Sequence, residues 1–321
     1  MKALKNKFHN QLSNGRGRVR EDPAFLFFLC LCWRQKKGTK KPLLAENRKE
    51  DTICSNVDSL DQNSSTMRSE LAELIVLGSG TGIPSLRRGS PGLVVLSDNS
   101  TLLIDSGSGT LRRMLDFGMT YRDIDLLLYT HIHPDHVSDL VPILFACKYA
   151  DLPREKELLC IGGRGFKSYF EKLRSVYGPW IAAQSYQLTV KEISQEVLAY
   201  RDLKILSRPM AHISESVGYR VEFKDGKSMA LSGDTDYCQN IIDLAFGVDL
   251  LVLECSFPDG KKVEGHLTPS LAGRIAMESH CKKLLLTHLY PVCDQSDIIS
   301  QCKQVYPGQI ILAEDLMRIQ I

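Results

Sequence analysis

The sequence predicts an α/β fold of the αββα type, a four-layer sandwich in which two sheets pack face to face between layers of helices. Short apolar runs with strand character fall into two groups along the chain. Segments whose apolar residues recur at helical spacing alternate with the strands of each group. Several histidines and acidic residues follow directly after these strands, so we expect them to meet where loops converge at one shared edge of the sheets.

The first group of elements begins shortly after Met67. It is predicted to contain strands at residues 73–77, 92–96, 101–104, 124–129 and 157–161, with helices at 110–117, after 137 and at 166–177. The polar segment 97–100 indicates a hairpin between the second and third strands. The glycine-rich turn at 78–82 lacks the lysine of a P-loop and precedes a strand, so it does not fit a nucleotide-binding motif.

The second group fills the rest of the chain. It is predicted to contain strands at 187–193, 203–206, 217–223 and 227–231, followed by helices at 237–246, 269–280 and 294–305 that alternate with strands at 250–254, 283–286 and 309–312. Two such groups with flanking helices are what an αββα sandwich requires.

The first 66 residues differ in composition from the remainder. They hold 13 Lys and Arg against 7 Asp and Glu and show no sustained periodicity. Their apolar patch at 24–33 is about ten residues long, shorter than the ~20 residues that span a bilayer. We predict that residues 1–66 are a disordered or spurious extension, with Met67 as an alternative start and a transit peptide as the open alternative. The folded domain is then 67–321.

Charge and cysteine content limit the partners and the compartment. Residues 67–321 hold 27 Lys and Arg against 31 Asp and Glu, so this part is mildly acidic and does not favour a nucleic-acid partner. The ten cysteines form no C-x-x-C pair, and several lie inside apolar runs. Buried thiols of this kind are typical of a reducing compartment, which predicts a cytoplasmic protein without a membrane segment.

A cluster of metal-ligand side chains lies between a predicted strand and a predicted helix. His131, His133, Asp135 and His136 fall within six residues of a chain that has eight histidines in total. A structural zinc site would more often use paired cysteines. Imidazole and carboxylate ligands suit zinc, or less selectively manganese or iron, so the cluster predicts a catalytic metal centre, and the two directions in which its side chains turn favour two metals.

Four further polar residues are candidates for the same centre. His212, Asp234, His266 and His288 follow later strands, and with the cluster they account for six of the eight histidines. Each alone would more often be a surface residue or a group supporting a ligand.

The order of these motifs resembles the metallo-β-lactamase superfamily. The sequence segments are LGSGTGIP, THIHPDH, the histidine at 212, SGDT, and HLT followed by LLLTH, and together they are most similar to the ribonuclease Z branch. The resemblance implies a metallo-β-lactamase sandwich that extends from about Leu74 to the C-terminus.

The resemblance also implies the role of each residue. It assigns His131, His133 and His212 to one metal, Asp135, His136 and His288 to the other, and Asp234 to both. Two zinc ions, with manganese or iron(II) as alternatives, would hold a bridging hydroxide that attacks the substrate. Asp135 is expected to orient this hydroxide or take its proton, and His266 to contact the scissile phosphate and assist the leaving group.

Three departures from ribonuclease Z concern the substrate. The family segment P-x-K-x-R-N is replaced by residues 84–89, which have leucine at the lysine position and end in glycine. The long tRNA-binding arm that the family inserts between the GYR and SGDT motifs is missing, because only residues 221–231 lie between these motifs here. The H-E-A-T motif appears as residues 253–256, Leu-Glu-Cys-Ser.

We therefore predict a phosphodiesterase that acts on a small phosphodiester or nucleotide. A tRNA substrate is disfavoured, since binding a large polyanion depends on many basic contacts. The alternatives are a ribonuclease Z whose tRNA grip comes from the partner in a homodimer, an arylsulfatase, lactonase or other ester hydrolase, and a metal-binding module without activity.

Overall fold

The computed structural model describes residues 72–149 and 153–321, and the predicted extension at 1–66 lies outside them. The strands of these residues are β1 (Glu73–Gly78), β2 (Gly92–Leu96), β3 (Thr101–Ile104), β4 (Leu126–Leu128), β5 (Leu158–Gly162), β6 (Leu188–Glu192), β7 (Val197–Tyr200), β8 (Leu203–Pro209), β9 (Val217–Phe223), β10 (Ser228–Leu231), β11 (Leu250–Glu254), β12 (Lys283–Thr287), β13 (Gln309–Leu312) and β14 (Arg318–Gln320).

The helices are mostly short and lie between the strands. They are α1 (Thr110–Arg113), α2 (Pro134–Val137), α3 (Leu140–Tyr149), α4 (Phe166–Tyr177), α5 (Gln239–Leu244), α6 (Pro269–Ser279) and α7 (Ile298–Lys303), with 3₁₀ turns at Met114–Phe117, Gly178–Ile181 and Pro291–Gln295. No helix of the described residues is both long enough and apolar enough to cross a membrane.

Two seven-stranded sheets form the centre of the fold. Their orders are β14-β1-β2-β3-β4-β5-β6 and β13-β12-β11-β10-β9-β8-β7. One apolar cluster fills the space between the sheets, with Leu74, Leu128 and Val252 among its buried members. Two further clusters pack the outer face of each sheet against its helices. The predicted αββα sandwich is therefore confirmed.

Strand direction brings the candidate residues to one edge. Strands β3 to β6 run parallel in the first sheet, and β10 to β13 run parallel in the second. The residues that follow β3, β4, β10, β11 and β12 therefore leave the sheets at their carboxyl ends. In open α/β sheets this is where ligands bind.

The sheet assignment of one predicted strand was wrong. Residues 187–193, predicted in the second group, form β6, which pairs in parallel with β5 at the edge of the first sheet. The crossover helix α4 returns the chain in the same direction, which places β6 beside β5. The sequence prediction also missed β7 and β14, and β14 closes the first sheet by pairing with β1.

Several helix boundaries also differ from the prediction. The predicted helix 110–117 consists of α1 and a 3₁₀ turn that ends at Gly118, which has a φ of 67°. The predicted helix 294–305 begins at Ile298, because the side chain of Asp297 accepts a hydrogen bond from the backbone of Ser300 and caps α7.

Residues 221–231 belong to a tight hairpin, as predicted. Strands β9 and β10 pair antiparallel from Glu222 opposite Ser228 to Tyr219 opposite Leu231. A turn closed by the Phe223–Lys227 backbone hydrogen bond joins them.

Candidate metal centre

The histidine-rich loop leaves β4 and enters α2 within a few residues. Thr130 anchors the start of this loop, since its backbone N–H and its hydroxyl each donate to the carboxylate of Asp105 at 2.8 Å. His133 is extended and Pro134 occupies the first turn of α2. His131 and His133 therefore lie before the helix while Asp135 and His136 lie in it, as the strand-loop-helix prediction expects.

The first ligand group consists of His131, His133, His212 and Asp234. Their candidate ligand atoms all lie within 4.8 Å of one another. Nε2 of His212 lies 3.2 Å from Nδ1 of His133. Oδ2 of Asp234 lies 3.7 Å from Nε2 of His131 and 3.8 Å from Nε2 of His212.

The second ligand group consists of Asp135, His136 and His288, whose candidate ligand atoms also lie within 4.8 Å of one another. Nε2 of His136 lies 3.2 Å from Nε2 of His288, and Oδ2 of Asp135 lies 3.5 Å from the same atom of His288. Oδ1 of Asp234 lies 3.4 Å from Nε2 of His136 and 3.3 Å from Nε2 of His288. The two oxygens of Asp234 thus face different groups.

The chemistry of these atoms fits bound cations. Nε2 of His131 and Oδ1 of Asp234 are buried without a hydrogen-bond partner in the described part of the chain. Buried polar groups are normally satisfied, so an orphaned nitrogen in the first group and an orphaned oxygen that faces the second group call for an explanation, and bound cations provide one. Histidine and carboxylate oxygen are common zinc ligands, and the same set accepts manganese or iron.

Electrostatics favours the metal-ligating form of two residues in the first group. Burial, followed by the charge of His136, holds the pKa of His131 well below its usual value. Burial alone would raise the pKa of Asp234, but the nearby His288 and His136 outweigh it and hold the pKa well below the usual range. An unprotonated imidazole and an ionised carboxylate are the ligating forms.

Hydrogen bonds at the far nitrogens orient three of the histidines. Nδ1 of His136 lies 2.8 Å from the Asp105 carboxylate, Nδ1 of His212 lies 2.9 Å from the carbonyl oxygen of Gly265, and Nδ1 of His131 lies 3.1 Å from the Thr130 hydroxyl. Such partners fix the ring and leave Nε2 directed at the metal. Sequence reasoning gave Asp105 no role, although its position directly after β3 was a signal.

Two residues of the centre have a left-handed backbone. Asp105 and His288 both have a φ of 55°. This region costs free energy for residues other than glycine, and such strain is concentrated at functional sites. Gly233 meets a similar demand at φ 60°, and a Cβ there would lie 2.5 Å from the Cβ of Thr130. The turn that presents Asp234 therefore requires glycine.

His266 lies beside both groups and bonds to Glu254. Its Nδ1 lies 2.9 Å from Oε1 of Glu254, which is itself 2% exposed and accepts the backbone N–H of Thr235. Burial alone would lower the pKa of His266, but the hydrogen bond to Glu254 and the charges of Glu254 and Asp234 outweigh it and raise the pKa. Its aromatic neighbours, Phe257 and Tyr290, stack with ring centroids 4.6 Å apart, and sequence reasoning found neither.

The glycine-rich turn supports a predicted ligand. The backbone N–H of Gly82 donates to Oδ2 of Asp135 at 2.9 Å, and a Cβ on Gly82 would come within 3.3 Å of that side chain. The base of the turn is held by Asp315, which accepts the backbone N–H groups of Ser79 and Gly89. The turn therefore contributes backbone atoms to the centre.

All seven predicted metal ligands and His266 meet at this edge of the sandwich. Two facing sheets with a shared histidine-aspartate cluster define the chain as a metal-dependent hydrolase of the metallo-β-lactamase fold. The family model described as "Anti-Pycsar protein Apyc1" matches residues 72–297. The chain belongs to this family.

Several known proteins are similar to this chain in sequence or in fold. The chain is 26% identical over 298 residues to a ribonuclease Z of Streptomyces avermitilis, which covers 78% of this chain and 97% of that protein. It is 32% identical over 216 residues to the uncharacterized protein Rv1339 of Mycobacterium tuberculosis, covering 65% of this chain and 77% of that protein. The metallo-β-lactamase fold protein YhfI from Bacillus subtilis has a TM-score of 0.69 at 23% identity, with coverage of 79% and 100%. The predicted ribonuclease Z-like character is thereby confirmed.

Proposed function

We propose that this chain is a binuclear phosphodiesterase that hydrolyses a small phosphodiester, such as a cyclic nucleotide or a modified nucleotide. The observation that carries the proposal is the position of Asp234, whose Oδ2 faces His131 and His212 while its Oδ1 faces His136 and His288. One carboxylate between two nitrogen-rich groups is the arrangement expected of a bridging ligand. We propose two zinc ions because histidine dominates both groups.

Each ligand group has a distinct task in this proposal. His131, His133 and His212 would hold the first ion, and Asp135, His136 and His288 would hold the second. When bound, two divalent ions would lower the pKa of a water from 15.7 toward about 7 and neutralise charge on a phosphodiester. Asp135 orients the attacking water, since one of its oxygens is already fixed by Gly82.

His266 is proposed to contact the phosphate and assist the leaving group. Glu254 holds its Nδ1 at 2.9 Å, so Nε2 is the nitrogen left to meet a substrate. The raised pKa of His266 favours a protonated ring, which can donate a hydrogen bond or a proton to a departing oxygen.

A small substrate is supported by the surface around the centre. The short β9–β10 hairpin stands where the related ribonuclease Z enzymes are expected to carry a long arm. Residues 67–321 have four more acidic than basic side chains, and binding of a long nucleic acid depends on neutralising many phosphates. The ribonuclease Z relatives support tRNA as the second candidate substrate. In that case the partner in a homodimer would supply the tRNA-binding contacts.

Reconstitution followed by a substrate panel tests the proposal. The metal-free protein is loaded with zinc and analysed for ions per chain. It is then assayed with bis-p-nitrophenyl phosphate, 3′,5′-cyclic nucleotides, a 3′-extended tRNA precursor, an aryl sulfate and nitrocefin. We expect two ions and turnover of the small phosphodiesters. Turnover of the sulfate or nitrocefin alone would overturn the proposal, and clean tRNA cleavage by a dimer would favour ribonuclease Z.

We also propose a cytoplasmic location. Seven cysteines lie in the described residues, all are free, and six of them are buried. Burial raises the pKa of the Cys160 and Cys255 thiols, which keeps them protonated and unreactive. Unpaired thiols are usual in a reducing compartment.

A further inference from the structure

A buried serine hydroxyl lies between a metal-facing histidine and the Glu254–His266 pair. Ser256 follows β11 and is fully buried. Its Oγ lies 2.9 Å from Nδ1 of His288 and 2.5 Å from Oε2 of Glu254. It also lies 3.2 Å from Nδ1 of His266. Among the residues that the structure describes, no other side chain offers Nδ1 of His288 a hydrogen-bond partner.

The chemistry of each group determines which atom donates. Nε2 of His288 faces His136 and Asp234, so it is the ligating nitrogen and Nδ1 carries the proton. That N–H donates to Oγ of Ser256. The single hydroxyl proton of Ser256 then goes to Oε2 of Glu254, the shortest contact and a carboxylate acceptor.

The other oxygen of Glu254 completes the chain. Oε1 accepts the N–H at Nδ1 of His266, so hydrogen bonds run without a break from His288 through Ser256 and Glu254 to His266. This chain of four residues connects a ligand of the second metal group to the residue proposed to contact the phosphate.

We infer that Ser256 is a positioning residue whose hydroxyl fixes the ring of His288 for the second metal and, through Glu254, the ring of His266 for the substrate. The His266 part rests on the proposed function, whereas the His288 part needs only a bound metal.

The surroundings of Ser256 leave the hydroxyl little freedom. Its backbone N–H donates to the same Glu254 oxygen at 3.2 Å, and its carbonyl oxygen accepts a contact from the Cys293 thiol at 3.2 Å. Removing the hydroxyl would leave the N–H of His288 buried without a partner. Loss of such a supporting hydrogen bond typically lowers metal affinity or activity about tenfold to hundredfold.

Two variants of the same side-chain shape separate the effect of the hydroxyl from the effect of side-chain volume. Ser256→Thr keeps the hydroxyl and Ser256→Val has the same shape without it. Zinc retention is measured by competition with a chelator, and turnover of bis-p-nitrophenyl phosphate is measured at saturating zinc. We expect the Thr variant to resemble the native protein. In the Val variant one of the two zinc ions should bind about tenfold to hundredfold more weakly, and turnover should fall about tenfold or more.

The control is Ser279→Ala, which removes another fully buried serine hydroxyl. That hydroxyl bonds to the carbonyl oxygen of Ala276 within α6, away from the centre, so zinc retention and turnover should not change.

Equal zinc retention by the Thr and Val variants would overturn the inference. If the Val variant does not fold, Ser256→Ala replaces it in the same comparison. If the native protein holds zinc but turns over no phosphodiester, the proposed function fails, while zinc retention still decides the role of the hydroxyl at His288.

Discussion

The two ends of the sandwich each contain a buried carboxylate, and the two carboxylates differ in the side chains that surround them. At the end away from the metal centre, Asp125 is 1% exposed and lies beside two cations: its Oδ1 is 2.5 Å from Nζ of Lys156 and 2.7 Å from Arg201, and its Oδ2 accepts the backbone N–H of Thr101. At the metal end, Asp234 is 3% exposed, and its ion-pair partners among the described residues are all histidines, the nearest at 3.3 Å. The first carboxylate is neutralised by side chains of the fold itself, and the second has the surroundings of a cation ligand.

The largest effect is expected from removing a ligand of the second group. Asp135→Ala or His136→Ala should abolish hydrolysis and lower the zinc content from two ions toward one per chain, because the first group remains complete. Metal analysis beside a phosphodiesterase assay measures both quantities. Full activity in either variant would contradict the two-metal mechanism.

His266→Ala should give the next largest effect, at the metal end but outside the ligand set. Turnover is expected to fall about 10²- to 10⁴-fold, the usual contribution of a positioned acid. The zinc content should stay at two, since His266 is proposed to act on the substrate. Loss of an ion together with activity would show instead that His266 is a ligand.

Asp125→Asn tests the opposite end. Because this change leaves Lys156 and Arg201 without their shared carboxylate, we expect the free energy of unfolding to fall by about 2 kcal/mol, discounted because both cations are partly exposed. Urea unfolding measures the loss. Zinc content and turnover at a permissive temperature should match those of the native protein, and a loss of zinc would mean that the two ends are coupled.

The smallest effect is expected from a chain that starts at Met67. We expect residues 67–321 to bind two zinc ions and to have unchanged turnover, since every proposed ligand lies after residue 130. Mass spectrometry of the natively expressed protein complements this test. A marked loss of activity would show that residues 1–66 contribute to the active protein.

Most of the candidate metal centre could be predicted because the residues proposed as ligands follow strand ends in recognisable motifs. His131 to His136 are contiguous, and the residues at 212, 234 and 288 each follow a strand, so topology alone brings them to one edge. The supporting residues were harder to find. Asp105 bonds His136 across 31 positions of sequence. Its position directly after β3 indicates the edge at which it lies, but no local pattern reveals which residue it contacts.

The fold, too, was only partly predictable from the sequence. Strand positions were predictable from apolar runs, but the sheet that β6 joins depends on where α4 returns the chain. The three residues of β14 carry too little pattern to predict a strand. Their place is fixed by pairing with β1 and by the ion pair of Arg318 with Glu73, at 2.5 Å and 245 positions apart.

The loop that carries His131 to His136 follows β4 of the first sheet, whereas Asp234 follows β10 of the second sheet. Each proposed ion would take ligands from both halves of the sandwich: His131 and His133 with His212 for one, Asp135 and His136 with His288 for the other. The ions would therefore cross-link the two sheets at the edge where the ligands meet. Because metal binds the folded state, the unfolding temperature should rise with zinc concentration, and chelation should loosen this edge first.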